Sequence, residues 1–275
     1  MASHRGAILV LKESHAGFFV DLHGMKILCC VSHVPDTTTK IQFDGEGRAL
    51  DRKGVTFIVN PYDDFALARA AEIKEKTPGT TVTVLCVGKN GASSTDSVDA
   101  TLRKALALGF DEAVRIDADP IDAYFVAKQI AAYAADKGFQ LLMFGKESID
   151  YNGAQVPGMV AALLNLPFIS YATSIELSNG KAHLTREIDG GKEHIEAPLP
   201  LVLSAQKGLA EWRIPNVRGI MQAKTKPLHV LPPTNDSPRV RTLRHEPPPP
   251  KGPFKKIDPT NLDELVKELA NKGLI

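Results

Sequence analysis

The chain has 275 residues, with 33 basic against 32 acidic side chains and a formal net charge of +1. That balance lacks the basic excess that binding a phosphate backbone demands, and 43% hydrophobic content excludes a chain disordered throughout. No run of about 18 apolar residues is present to span a membrane.

The first 24 residues differ in character from the rest of the chain. The apolar run Ala7 to Leu11 is broken by Lys12 and Glu13, too short and too charged for a signal peptide. Residues 1–24 therefore read as a disordered N-terminal extension, with Met25 opening the fold. Apolar, β-branched runs come next at Lys26–Val31, Thr81–Val87, Ala113–Ile116 and Leu141–Phe144, each bounded by Gly, Pro, Asn or Asp. Such runs are typical of buried parallel strands. Helices alternate with them. Asn60-Pro61 is a helix start, with Asn60 placed to cap free amides, Pro61 suited to the first turn, and Asp63 and Asp64 favoured there by the helix dipole. Phe65, Ala66, Ala70 and Ile73 supply its buried stripe, and Pro78-Gly79 stops it. Further helices are expected over Asp96–Leu108, Ile121–Lys137 and about Ala154–Leu164.

After Pro167 the pattern changes. Asn179-Gly180 and Asp189-Gly190-Gly191 predict two antiparallel turns, because such pairs accept positive φ, and the apolar run Leu201–Leu203 comes after them. The class is thus α/β: an open, mostly parallel Rossmann-like sheet over residues 25–226 with an added antiparallel hairpin region. Residues 227–275 form a C-terminal arm. Nine of the 19 prolines lie between Pro227 and Pro253, so this stretch is expected to be extended, near polyproline II. A last helix is expected to be capped by Thr260, with Asp263 reciprocal, and to carry the stripe Leu262, Leu265, Val266 and Leu269. That stripe needs either the chain's own domain or a partner to cover it.

In open parallel sheets, ligands bind beyond the carboxyl ends of the strands. Three loops there stand out: Cys30–Asp36, Val87–Gly91, and the long loop Gly145–Gln155, whose two glycines and adjoining helix start suit a phosphate cradle built from backbone amides. A polar surface loop is the plainer reading of that last segment. Walker-type and GxGxxG fingerprints are absent, as is a nucleophile elbow. The pair Asp63–Asp64 reads as a helix first turn rather than an acid–base pair. Cys29, Cys30 and Cys86 read as buried thiols of a reducing cytoplasm, and no histidine stands at ligand spacing, so no metal site is expected. By composition and spacing alone, the chain reads as a nucleotide-binding α/β module without catalytic machinery.

The segment REIDGGKEHIEAPLPLVLS, Arg186 to Ser204, resembles the signature of the electron transfer flavoprotein β subunit. Matching pieces occur in order: KILCCVSHVPDT, VNPYDDFALARAAEIKEK, TLRKALALGFDE, LLMFGKESID and GIMQAKTKP. They cover Met25 to about Pro227. The resemblance implies an adenine nucleotide α-hydrolase-like fold and a non-catalytic electron carrier. An α and a β subunit would form a heterodimer with one FAD, held mostly by the α subunit, while the β subunit buries an AMP. Carried over by motif, the AMP pocket would be lined by Cys30, Asn60, Pro61, Tyr62, Asp63 and Val87. The loop Gly145, Lys146, Glu147, Ser148, Ile149, Asp150, Tyr151, Asn152, Gly153, Ala154, Gln155 and Val156 would complete it.

Ala154-Gln155-Val156 is also similar to an element of electron-bifurcating relatives, which hold a second FAD here; AMP is the favoured occupant and FAD the alternative. The loop Gln206–Asn216 resembles the family's recognition loop for acyl-CoA dehydrogenases, with Leu209 as hydrophobic anchor, then Glu211, Trp212 and Arg213. Trp212 stands where relatives often have Pro. The resemblance further implies that the arm wraps onto the α subunit and that electrons pass to a membrane quinone oxidoreductase, the ETF-quinone oxidoreductase. The carrier itself would be cytoplasmic, with neither nucleic acid binding nor membrane insertion. A stand-alone nucleotide-binding or nucleotide-hydrolysing α/β protein is the rival reading.

Overall fold

A computed structural model describes the backbone of Ile8–Val10 and residues 24–275. In chain order the elements are β1 (Ile8–Val10), β2 (Lys26–Cys30), β3 (His33–Pro35), β4 (Phe57–Val59), α1 (Pro61–Lys76), β5 (Thr81–Val87), α2 (Val98–Ala107), β6 (Glu112–Ile116), α3 (Ala123–Ala134) and β7 (Leu141–Gly145). They continue with α4 (Val156–Leu164), β8 (Phe168–Ser178), β9 (Lys181–Ile188), β10 (Gly191–Pro198), β11 (Leu201–Ala205), α5 (Val217–Ala223), β12 (Leu228–Leu231) and α6 (Leu262–Asn271). Apart from β1, residues 1–23 lie outside the described residues, and with them most of the expected N-terminal extension.

Ten strands form one sheet in the order β1-β10-β9-β8-β11-β7-β2-β5-β6-β12; β3 and β4 make a separate antiparallel pair. From β8 to β12 along this order every pairing is parallel, whereas β8–β9 and β9–β10 are antiparallel. The antiparallel region is thus a three-stranded meander. Asn179 and Gly180 take φ of 51° and 73° at its first turn and Gly190 takes 87° at the second, as expected.

Successive strand residues face opposite sides, and the sheet is doubly wound accordingly. Ile27, Cys29, Val84 and Cys86 join α1 and α2 in one core; Leu28, Cys30, Leu85 and Val87 join α3 and α4 in the other. All three cysteines are free and buried.

Several helix ends differ from expectation because a neighbouring side chain is drawn elsewhere. α2 starts after Ser97, whose side chain accepts from Ala100 N, since Asp96 is occupied by Arg52 and His33. Asp122 caps α3 by accepting from Phe125 N. For α6 the cap is Asn261, accepting from Glu264 N, one residue beyond Thr260. Thr260 instead closes a turn on Asp258. Leu228–Leu231, expected within the arm, pairs with β6 as the last strand of the sheet.

Candidate functional site

The chain runs β2 to β5 to β6 toward one edge of the sheet, then returns through β7 to the other side of β2. The carboxyl ends of β2 and β7 therefore flank the topological switch point, where open α/β sheets form their ligand crevice. Every residue expected in the pocket gathers there. Cys30 and Val87 end β2 and β5 with buried side chains; Asn60 to Asp63 form the entry to α1; Gly145 ends β7; and the loop from Lys146 to Gln155 leads into Val156, the first residue of α4.

Two side chains bind this crevice together. Asp63 is buried, its Oδ2 accepting from Ser32 N at 2.7 Å just past β2 and its Oδ1 accepting from Gly145 N at 3.0 Å at the end of β7. One carboxylate thus spans the switch point. Burial pushes the Asp63 carboxyl up to about 7, against the lowering effect of the Ser32 and Gly145 amides and of Asn60. Asn60 does not cap α1. Its Nδ2 donates to Glu147 O at 2.9 Å and its Oδ1 accepts from Ile149 N at 3.1 Å, so the side chain pins the long loop to the helix start. Tyr62 carries the Lys146 ammonium 4.5 Å above its ring.

The outer half of that loop is shaped differently. Asn152 and Ala154 both have positive φ, 51° and 50°, and the Asn152 amide closes the loop on itself by donating to Ser148 O at 2.8 Å. Gln155 supplies no side-chain cap to α4, which leaves the amides of its first turn without an intrahelical partner. At the same sheet edge Gln206 Oε1 is buried with no hydrogen-bond partner. Two hollows, one within the β3–β4 excursion near Lys40 and Lys53 and one at the opposite strand ends near Lys26 and Glu112, lie away from these strand ends and helix starts. Among the described residues no three His, Cys, Asp or Glu side chains cluster as metal ligands, and no helix is long and apolar enough to cross a membrane.

Residues 48–236 match the family model of the electron transfer flavoprotein domain. The chain is 37% identical over 211 residues to the electron transfer flavoprotein subunit beta of Bacillus subtilis, covering 75% of this chain and 79% of the relative. It is 33% identical to the probable electron transfer flavoprotein subunit beta of Saccharomyces cerevisiae, over 89% of this chain and 95% of the relative. A further relative, the caffeyl-CoA reductase-Etf complex subunit CarD of Acetobacterium woodii, is 33% identical over 90% of this chain and 97% of that protein. The chain belongs to the electron transfer flavoprotein β-subunit family. Its role is accordingly electron transfer as part of a flavoprotein.

The segment Gln206–Asn216, expected from the resemblance to be a recognition loop, is tied to α1. Leu209, expected to project as an anchor, is fully buried in the core that contains α1 and α2. Gly208, at φ of 105°, turns the chain back, and Arg69 Nε donates to Leu209 O at 2.8 Å. In this chain Leu209 is thus a core residue and not the projecting one that the resemblance implied. Arg213 is held by Glu75 through two bonds of 2.8 and 3.1 Å and lies 3.8 Å from Glu72. The Trp212 indole lies against Asp64, whose carboxyl is pushed up to about 6 by burial and partly lowered again by that indole N–H. Glu211 points to solvent.

The apolar surface of this region lies further along the chain. Trp212 is 61% exposed and Ile214 74%, with Val217, Ile220 and Met221 exposed beside them on α5. The helix is fixed from beneath: Arg103 NH1 donates to Ala223 O and Lys226 O, and a Cβ on Gly219 would fall onto the Ala107 carbonyl. Sequence reading missed Arg69, Glu72 and Glu75 as the residues that seat the loop. Their i, i+3, i+6 spacing on one helix was the available signal.

Proposed function

We propose that this chain is the nucleotide-holding subunit of a heterodimeric electron carrier. An α subunit would hold most of the FAD, and AMP would fill the crevice at the switch point. The observation that carries this reading is the pair of side-chain ties, Asp63 from β2 to β7 and Asn60 to the loop, which hold a strand-end crevice in register around an uncapped helix start. Family membership supports the flavin partnership.

The residues present fit an adenine ribotide. Ala154, with its positive φ, and the first turn of α4 apart from Pro157 offer amides to a phosphate. Lys146 and Tyr62 flank the inner wall, and Gln206 Oε1 is an acceptor awaiting a donor. AMP contributes no redox chemistry; it completes the hydrogen bonding of the loop. Asp63 and Asn60 hold the walls, while Cys30 and Val87 exclude water from the floor. No residue of this chain is assigned a catalytic role.

In this reading the carrier is cytoplasmic, accepts electrons from acyl-CoA and related dehydrogenases, and delivers them to a membrane quinone oxidoreductase. The docking face is Trp212 and Ile214 with the exposed apolar residues of α5, and Lys207, Arg218 and Lys224 are exposed in the same stretch of chain, an apolar centre with charged neighbours as in a binding hot spot. The arm beyond β12 ends in α6, whose Leu262, Leu265 and Val266 are uncovered within this chain. They are read as the surface that meets the α subunit.

Denaturing the purified complex and identifying the released nucleotides tests the assignment. One FAD and one AMP per heterodimer is the expected result. A flavin ratio near two would replace AMP by a second FAD, and a colourless homo-oligomer would overturn the carrier reading altogether.

A further inference from the structure

The arm is not free along its whole length after β12. Thr234 N donates to Gln129 Oε1 at 2.7 Å, and Lys128 Nζ lies 3.7 Å from Asp236, so the arm first runs beside α3. Arg239 N and Val240 N then both donate to Asp122 Oδ2, at 2.5 and 2.7 Å, while Asp122 Oδ1 remains on Phe125 N as the cap of α3. The Arg239 guanidinium lies 5.0 Å over the Tyr124 ring. A third fastening joins the arm to the β3–β4 excursion: His245 N donates to Gly47 O at 2.7 Å, and the His245 ring stacks on Phe43 at 4.7 Å and 5°. Gly47 takes φ of 67°, and a Cβ there would stand 3.0 Å from His245 O.

That excursion is itself braced. Asp96 takes Arg52 Nε at 2.7 Å and Arg52 NH2 at 2.5 Å, and His33 Nε2 at 3.1 Å; the Phe57 ring stacks on His33 at 4.7 Å and has the Arg52 guanidinium 4.3 Å from its centre. Its base is therefore a fixed point of the domain. The polyproline run Pro247–Pro250 begins two residues after the last fastening, and α6 begins at Leu262.

We infer that the three fastenings, Gln129–Thr234, Asp122–Arg239/Val240 and Phe43/Gly47–His245, are an assembly device that aims the arm, leaving only residues 247–275 to capture the α subunit. The inference rests on the reading of the arm under Proposed function. Prearrangement of this kind removes ordering entropy before the partner arrives. Residues 247 to 257, extended at about 3.1 Å each, reach roughly 34 Å from a fixed origin before the turn at Asp258, whereas an arm loose from β12 onward would search a far larger volume and lower the effective concentration of α6 at its site.

The test follows assembly of the chain with the α subunit. Arg239→Pro and Val240→Pro delete the amides that reach Asp122 yet keep its cap on α3, and Phe43→Ala removes the stack on His245. Hydrogen exchange over residues 234–246 reports release of the arm. Association of the triple variant with the α subunit is expected to slow by about tenfold, with nucleotide content unchanged. A chain ending at Glu246 is expected to lose the same dependence: there the three substitutions leave association as it is. A released arm that associates at the rate of the unaltered chain overturns the inference while leaving the arm's role intact. Unaltered assembly of the chain ending at Glu246 overturns both the arm reading and the inference.

Discussion

Gly145 and Asp63 are bound so closely that neither position tolerates a different shape: the glycine amide donates to Asp63 Oδ1 at 3.0 Å, and a Cβ on Gly145 would fall onto that oxygen and within 2.7 Å of the Tyr62 carbonyl carbon. Gly145→Ala must therefore push β7 away from α1. The expected loss is about 1–3 kcal/mol of stability, as for other overpacked sites, together with loss of bound nucleotide. Urea denaturation and nucleotide analysis of the purified variant check both.

Asp63 has a pH signature. Its carboxyl titrates near the ordinary 3.8 in the unfolded chain and at about 7 in the fold, where burial outweighs the donors around it. Between those values the native state holds a proton that the unfolded state has released, so stability contributed here is full below about pH 4 and declines as pH rises through 7. Asp64, pushed up to about 6 by burial, acts in the same direction. Asp63→Asn cannot titrate, and with one acceptor oxygen it cannot serve both the Ser32 and Gly145 amides. The stability advantage of the native chain over the Asp63→Asn variant is thus expected to narrow from about pH 4.5 to about pH 7.5. Unfolding curves at those pH values measure it, and a gap that widens with pH contradicts the assignment.

Asn60→Ala separates local from distant effects. Because the Asn60 side chain makes no cap bond, α1 should keep its helicity by circular dichroism. Losing the two bonds to Glu147 O and Ile149 N should cost about 1–3 kcal/mol, since partners at the loop lose their acceptor or donor. Faster nucleotide release is the expected readout.

Leu209 and Trp212 are expected to behave oppositely. Leu209→Ala empties a fully buried core position and should destabilise by about 2–5 kcal/mol. Trp212→Ala should change stability by less than about 1 kcal/mol and weaken docking to a flavoprotein dehydrogenase. Denaturant unfolding and calorimetric titration of the same two variants distinguish them.

The parallel strands and the helices between them were legible because each is specified locally: β-branched runs at Lys26–Val31 and Thr81–Val87 form β2 and β5, and Asn179-Gly180 makes its turn. What stayed hidden depends on distant neighbours. Asn60 has the look of a cap, but the loop 87 residues later captures its side chain. Leu209 sits among polar residues, and only Arg69 on α1 and the turn at Gly208 draw it inward. Leu228–Leu231 lies in a proline-rich stretch, yet the free edge of β6 pairs with it. The residues expected to line the crevice were chosen by family motif and by their position at strand ends; the roles of Asp63 and Asn60 as ties became visible only in three dimensions.

The order of the sheet also limits how any companion polypeptide can hold this one. The hairpin between β9 and β10, which carries the Arg186–Gly191 segment, lies toward one margin, and β12, from which the tail departs, forms the other. Eight strand spacings of about 4.8 Å separate β10 from β12, on the order of 40 Å. A single body in contact with both margins would have to span that width.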